Sequence, residues 1–335
     1  MKRSLFLLLA MSWGALACNS AKPPLREQNS SRTEMSATPF GVHTEGVETT
    51  PMVAQPTQTP VSQFPEGSTA ASDSGEIDVL QLTETDTDFL GVYQIVPQPY
   101  SDFIKAGGRV VNLEPMETFF ALWVPDGYES MPSRRVMVIA HGHGGNAYRE
   151  LNNELEFARK YGYAIVAIQW GEAEGERMFS GQQFYAFMNA ALRYMEHAYN
   201  AQLDKCAYRG WSQGSGISYE VTYLDRINGT DYLRLTISHD GGMMLDASEM
   251  SVGREFVTNL YDGVYGLDAF EGKHFYLYAG EPGQAKYMRN TAEVITNLGG
   301  VVEQLIEDVN AGHDGFYRHP QYHEEALDIF FRLAP

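Results

Sequence analysis

Tyr208–Glu220 reads YRGWSQGSGISYE, and the interpretation of this stretch decides the fold. Within it, Gly210-Trp211-Ser212-Gln213-Gly214 fits G-x-S-x-G, a pattern in which a serine occupies a cramped strand-to-helix turn and flanking glycines remove side chains that would clash there. Five residues carry little weight alone, because glycine and serine are common in turns. The context carries more. KCAYRG at 205–210 reads as a buried strand, and residues 213–226 have helical periodicity. A serine at that junction faces the free N–H groups and positive end of a helix, which favour a developing oxyanion. Ser212 is therefore a candidate nucleophile rather than turn filler.

Working outward, short β-branched runs alternate with amphipathic stretches from about residue 76 to the end, the mark of an α/β domain. Strands are expected at 118–124, 135–140, 163–169, 205–210, 233–238, 274–280 and 301–309. Helical patterns at 148–161, 182–200, 213–226, 284–298 and 321–332 are long enough to cross over between parallel strands. One doubly wound sheet follows, with function gathered at the carboxyl ends of its strands.

Two further loops fall at such ends. AHGHGGNAYRE, 140–150, is glycine-rich, so its backbone can approach a substrate and donate an N–H into an oxyanion hole beside that of Gln213; His143 is the expected donor. His141 and His143 would also suit a metal, but neither a carboxylate nor a third histidine follows at ligand spacing, and no metal or cofactor is expected. NAGHDGFYRHP, 310–320, follows the last strand. It offers His313 as a general base in a loop, whereas His319 and His323 fall at or inside the final helix. WGEAEGERMFSGQQFYAF, 170–187, mixes aromatics with acids after a strand end and is a candidate cleft wall; Trp211 could pack on a substrate acyl group, or these rings could simply be core.

Together these pieces resemble the α/β-hydrolase superfamily, and within it the secreted esterases that include poly(3-hydroxybutyrate) depolymerases and feruloyl or acetylxylan esterases. VMVIAHGHGGNAYRE is similar to that group's oxyanion loop, and LDKCAYRGWSQGSG, Asp204 included, to its strand and elbow. The resemblance spans 118–335. It implies an α/β-hydrolase fold, a mostly parallel sheet with helices on both faces, and a serine carboxylic-ester hydrolase acting through an acyl-enzyme. The acid that orients His313 then belongs just past the strand before the last, where YAGEPGQAKYM offers Glu281 and no aspartate. Glutamate can serve, since the task is to accept the second imidazole hydrogen bond. Asp240, in ISHDGGMM after the preceding strand, is its rival, with Asp246 behind it. Ser215 after Gly214, where the group often has another glycine, and the lack of disulfides are further departures.

The amino terminus has a different character. Lys2 and Arg3 precede an apolar run from Leu5 to Ala17, the layout of an export signal and too short for a membrane span. Ala15-Leu16-Ala17-Cys18 resembles the lipobox of bacterial lipoproteins, with alanine for the usual leucine at its first position; ordinary secretory cleavage is the alternative. The resemblance implies cleavage after residue 17, lipid on Cys18 and an exported, membrane-anchored protein on the periplasmic or cell-surface side. Residues 18–75 are dominated by Ser, Thr and Pro and hold no Ile, Trp or Tyr up to residue 75, so they read as a disordered tether ahead of a folded domain at 76–335. Cys206 would be the one cysteine left for the fold, an inert core thiol without a disulfide partner.

Of 335 residues, 43 are acidic and 24 basic, a formal charge of −19 that disfavours nucleic acid and other polyanions as partners. A neutral small-molecule or polymer-linked ester suits such a surface better. Two other readings compete: a surface binding protein that kept the fold without catalysis, suggested by the irregular acid site, and a peptidase with the same triad. The latter usually needs an added domain, for which 76–115 is too short.

Overall fold

The computed structural model of the chain describes residues 77–173, 175, 178–243 and 253–335, all within the compact unit Pro65–Pro335. The export signal, Cys18, the tether and Asp246 lie outside the described residues. In chain order the strands are β1 (Glu84–Thr85), β2 (Arg109–Leu113), β3 (Thr118–Trp123), β4 (Val136–Ala140), β5 (Ala164–Ile168), β6 (Cys206–Trp211), β7 (Leu233–His239), β8 (His274–Ala279) and β9 (Val301–Glu307). The helices are α1 (Val92–Ile95), α2 (Pro97–Lys105), α3 (Ala147–Tyr161), α4 (Gly181–Tyr199), α5 (Gln213–Ile227), α6 (Arg254–Tyr261), α7 (Pro282–Asn297), α8 (Gly315–Arg318) and α9 (Pro320–Leu333).

Among the described residues these strands form one sheet in the order β1-β2-β3-β5-β4-β6-β7-β8-β9. The first three are antiparallel, joined through β3 to β5, and β4 to β9 run parallel. This is the α/β architecture that the alternating pattern implies. All seven expected strands are present within about two residues of their expected limits. The edge strand β1 and its neighbour β2 were not expected, nor were α1, α2, α6 and α8.

Strand alternation sends side chains to two cores. Met137 and Ile139 of β4, with Leu235 and Ile237 of β7, pack beneath α3 and α9. Val136, Val138 and Ala140 face α4 and α5 on the other side, where Cys206 and Tyr208 of β6 also lie. Burial raises the Cys206 thiol well above its ordinary pKa, as an inert core thiol requires. A third cluster seats α7 and α6 against β8 through Phe275, Leu277 and Met288.

The helices start and stop where their caps dictate. The Asn146 side chain accepts the Arg149 N–H to open α3, and Gly162 in the left-handed region (φ 74°) closes it. Ser180 and Gln183 form a capping box at the start of α4. Among the described residues no helix is long and apolar enough to cross a membrane.

One topological feature places the site. From β4 the chain moves outward to β5 and then returns to β6 on the other side of β4, so the loops leaving β4 and β6 emerge next to each other at a switch point. The register confirms it: Ala140 pairs with Gly210, Trp211 with His239, and His239 with Tyr278. Every loop singled out in the sequence leaves from this one edge.

Candidate active site

Ser212 directly follows β6 and serves as the N-cap of α5, with φ 54° and ψ −115°. This backbone state is sparsely populated for a residue with a Cβ and costs about 1–3 kcal/mol, which the surroundings must supply. The Ser212 N–H donates to the His239 carbonyl (3.0 Å), and its own carbonyl accepts from Gly216 N–H (2.9 Å). The glycines of the motif have direct steric reasons. A Cβ on Gly210 would lie 2.3 Å from the Gly214 carbonyl oxygen, and one on Gly214 would lie 2.3 Å from that of Ala140. The turn therefore closes against the end of β4 with no room for a methyl group.

The loop after β4 packs directly onto the serine. A Cβ on Gly142 would sit 3.1 Å from Ser212 Cβ and 3.0 Å from the Trp211 ring. Gly145 N–H closes a turn on the Gly142 carbonyl (3.0 Å), leaving His143 exposed at its tip. Gln213 is the first residue of α5, where helix N–H groups lack intrahelical acceptors.

His141 holds this loop from below. Its Nδ1 lies 2.8 Å from the Gly142 carbonyl, its Nε2 accepts the Trp170 N–H (3.3 Å), and its carbonyl accepts the Trp170 indole N–H (2.9 Å). Those partners assign the proton to Nδ1. Burial, only partly opposed by the Gly142 carbonyl, brings its pKa down to about 4, so the ring is neutral. Both nitrogens are thus committed to the loop. Among the described residues no group of three or more metal-ligating side chains assembles. Gln169 adds a further tie by accepting the Ala147 N–H through Oε1 (2.9 Å).

His313 lies between β9 and α8, and its carbonyl accepts the Trp211 indole N–H at 2.8 Å. The imidazole and indole centroids are 5.5 Å apart. Its Nδ1 is 3.8 Å from Glu281 Oε2, an ion-pair distance too long for a hydrogen bond. Glu281 follows β8 at the head of α7, and the backbones of the two loops are joined by Gly312 N–H to the Gly280 carbonyl (2.8 Å).

Asp240 is placed differently. It is 1% exposed and has a positive φ of 58°, and its Oδ1 accepts the Gly280 N–H at 2.6 Å. Its other oxygen is buried without a partner among the described residues. Burial pushes its pKa up to about 7; the Gly280 N–H works against this and the neighbouring Glu281 charge adds to it. Among the described ion pairs His313 meets Glu281 and not Asp240. Asp240 instead supports the loop that carries Glu281.

The aromatics of 170–187 divide. Trp170, Phe184 and Phe187 are core residues, with Trp170 buried beneath His141, while Phe179 is half-buried.

Sequence reasoning missed a buried cluster under the site. Arg209 on β6 is fully buried, with Nε 2.9 Å from Glu154 Oε2 and Nη2 3.4 Å from Glu150 Oε2, both carboxylates belonging to α3. Tyr317 donates to Glu150 Oε2 (2.6 Å), Tyr163 donates to Glu154, and His323 Nε2 lies 3.1 Å from Glu154 Oε1. Burial alone would raise Glu154, yet the charges of His323 and Arg209 bring it down to about 2; Glu150 is raised, burial outweighing Arg209. The available signal was Arg209 itself, a cation inside an otherwise apolar strand, which demands buried counter-charges. His239, fully buried and stacked on Phe316 (4.5 Å), also went unnoticed.

No protein-family profile matches the chain. No curated protein matches it significantly in sequence. Solved structures do match in shape. A fungal esterase from Rhizomucor miehei aligns with a TM-score of 0.53 at 16% identity, over 72% of this chain and 89% of its own. Esterase B from Lactobacillus rhamnosis aligns with a TM-score of 0.50 at 14% identity, over 73% of this chain and 93% of its own. At such identities the likeness concerns architecture, and with the strand order above it shows an α/β-hydrolase fold for the described residues.

Proposed function

We propose that this protein is a serine carboxylic-ester hydrolase that works through an acyl-enzyme. The observation that carries the reading is the strained elbow of Ser212, packed against the Gly142 loop and joined through Trp211 to the loop of His313. In this mechanism His313 Nε2 takes the Ser212 proton as Oγ attacks the ester carbonyl carbon. The tetrahedral oxyanion is held by the backbone N–H groups of Gln213 and His143. Collapse breaks the carbon–oxygen bond to the alcohol, which leaves with the proton from His313. Water, deprotonated by His313, then attacks the acyl-serine; as the bond to Oγ breaks, the acid is released and Ser212 takes the proton back from His313.

In this reading Glu281 orients His313, supported by its carboxylate lying 3.8 Å from Nδ1. Its 3.8 Å separation tightens in the reacting complex, where the imidazolium forms and attracts the carboxylate. Asp240 holds the Glu281 loop through Gly280. No step calls for a cofactor. The formal charge of −19 favours neutral esters, either small molecules or ester groups on a polymer of the kind cleaved by poly(3-hydroxybutyrate) depolymerases or feruloyl esterases. The same loose carboxylate–imidazole pair is what a catalytically silent binding protein on this fold would show.

Turnover separates the two readings. Wild-type protein should hydrolyse p-nitrophenyl butyrate, and Ser212→Ala should abolish hydrolysis with the melting temperature unchanged. Undiminished activity in the variant would sink the serine assignment. We also propose that the protein is exported and anchored to a membrane by lipid on Cys18, a reading supported by the sequence around that cysteine.

A further inference from the structure

We infer that Trp211 and Tyr317 are positioning residues, a two-point clamp by which the nucleophile's own strand orients the catalytic base; the inference rests on the esterase reading. Arg209 and Trp211 stand two positions apart on β6, so both face α3 and the histidine loop. At the outer point, the Trp211 indole N–H donates to the His313 carbonyl at 2.8 Å, fixing the backbone of the base itself. At the inner point, one turn further along the chain, the Tyr317 hydroxyl donates to Glu150 at 2.6 Å, and its ring lies 5.3 Å below the Arg209 guanidinium.

The two points touch each other, with Trp211 and Tyr317 in edge-to-face contact at 5.9 Å. His239 closes the back of the Tyr317 ring edge-to-face at 5.1 Å. Glu150 stands on α3, the helix that begins as the oxyanion loop ends. The clamp therefore references three parts to one buried ion cluster: the elbow through β6, the oxyanion loop through α3, and His313 through α8. His313 itself is 37% exposed at its side chain and stands 3.8 Å from its carboxylate, so its own loop contacts do little to hold it. A rotation of the imidazole away from Ser212 by even about 1 Å would cost a large factor in rate.

This assigns Trp211 a role other than packing on the acyl group, and the two roles separate kinetically. Tyr317→Phe deletes only the hydroxyl, and Trp211→Phe removes the indole N–H while leaving a smaller aromatic ring in its place. Each should lower kcat for p-nitrophenyl butyrate about tenfold, the worth of one hydrogen bond, with KM within twofold and the melting temperature little changed. Because both groups hold one loop, the double variant should lose less than the product of the single effects.

A second readout is independent of turnover. In protein with isotope-labelled histidine, the His313 ring resonance, assigned with His313→Gln, should be single in the wild type and broadened or doubled in the double variant. A raised KM with unchanged kcat in Trp211→Phe would make Trp211 a substrate contact and overturn the clamp. So would an unaltered His313 resonance in the double variant. Broadening of that resonance in a protein whose Ser212→Ala form still hydrolyses the ester would support the clamp and condemn the esterase mechanism instead.

Discussion

Asp240→Asn should make the protein more stable at neutral pH, although Asp240 sits beside the candidate triad. The carboxyl is 1% exposed, one of its oxygens has no partner among the described residues, and its pKa rises from 3.8 to about 7 on folding. The folded protein thus holds this proton up to about pH 7, whereas the unfolded chain releases it near pH 4. Stability linked to the group is greatest at the acid end, falls as pH rises from about 4 to 7, and is level above. The gap between the two values corresponds to roughly 4 kcal/mol.

Asparagine mimics the protonated acid, since Oδ1 can still accept the Gly280 N–H and no charge is buried. Guanidinium denaturation of both proteins at pH 4.5, 6 and 8 measures the difference. The curves should nearly coincide at pH 4.5, and the variant should lead by up to about 4 kcal/mol at pH 8, equivalent to roughly 10 °C in a domain of this size. A variant less stable than wild type at pH 8, or a difference that does not change with pH, would refute the reasoning. Esterase activity should survive within a few-fold, because Asp240 acts on the Gly280 backbone rather than on His313.

Two further outcomes are expected. Glu281→Gln should lower kcat by about 10²-fold while leaving KM within twofold, since it removes the charge that stabilises the His313 imidazolium; an Asp240→Asn variant that loses more activity than Glu281→Gln would reverse the two roles. In cells, an alkyne fatty acid should label the full chain and fail to label Cys18→Ser; equal labelling of both would dismiss the lipid anchor.

The central sheet was legible because its strands announce themselves locally. Runs such as VMVIA and AIVAI are buried on both faces, so every residue is apolar, and nearby glycines and caps bound them. Arg109–Leu113 escaped because it is a short strand with an exposed first residue, and its burial depends on pairing with β3 on one side and the two-residue β1 on the other. The one-turn α8 has too few residues to show a period at all.

The site divides along the same line. Ser212, the Gly142 loop and Glu281 stand at strand ends, where short-range pattern and sheet topology are enough to place them. The parts that hold them, Glu150 and Glu154 against Arg209 and Tyr317 against Glu150, pair residues far apart in the chain. Nothing local in the helix AYRELNNELEFARKY says which of its acids turn inward. Trp211 illustrates the limit: its identity hinted at a substrate contact, and only the fold revealed that its N–H is bound to His313.

The most direct test of the account is to treat the purified protein with a fluorophosphonate and map the adduct by mass spectrometry. A single covalent adduct on the peptide carrying Ser212, absent after Ser212→Ala and greatly slowed by His313→Gln, is the predicted result. No adduct on Ser212 in a folded protein, or modification at a different residue with Ser212 untouched, would contradict the claim that the elbow serine is a nucleophile.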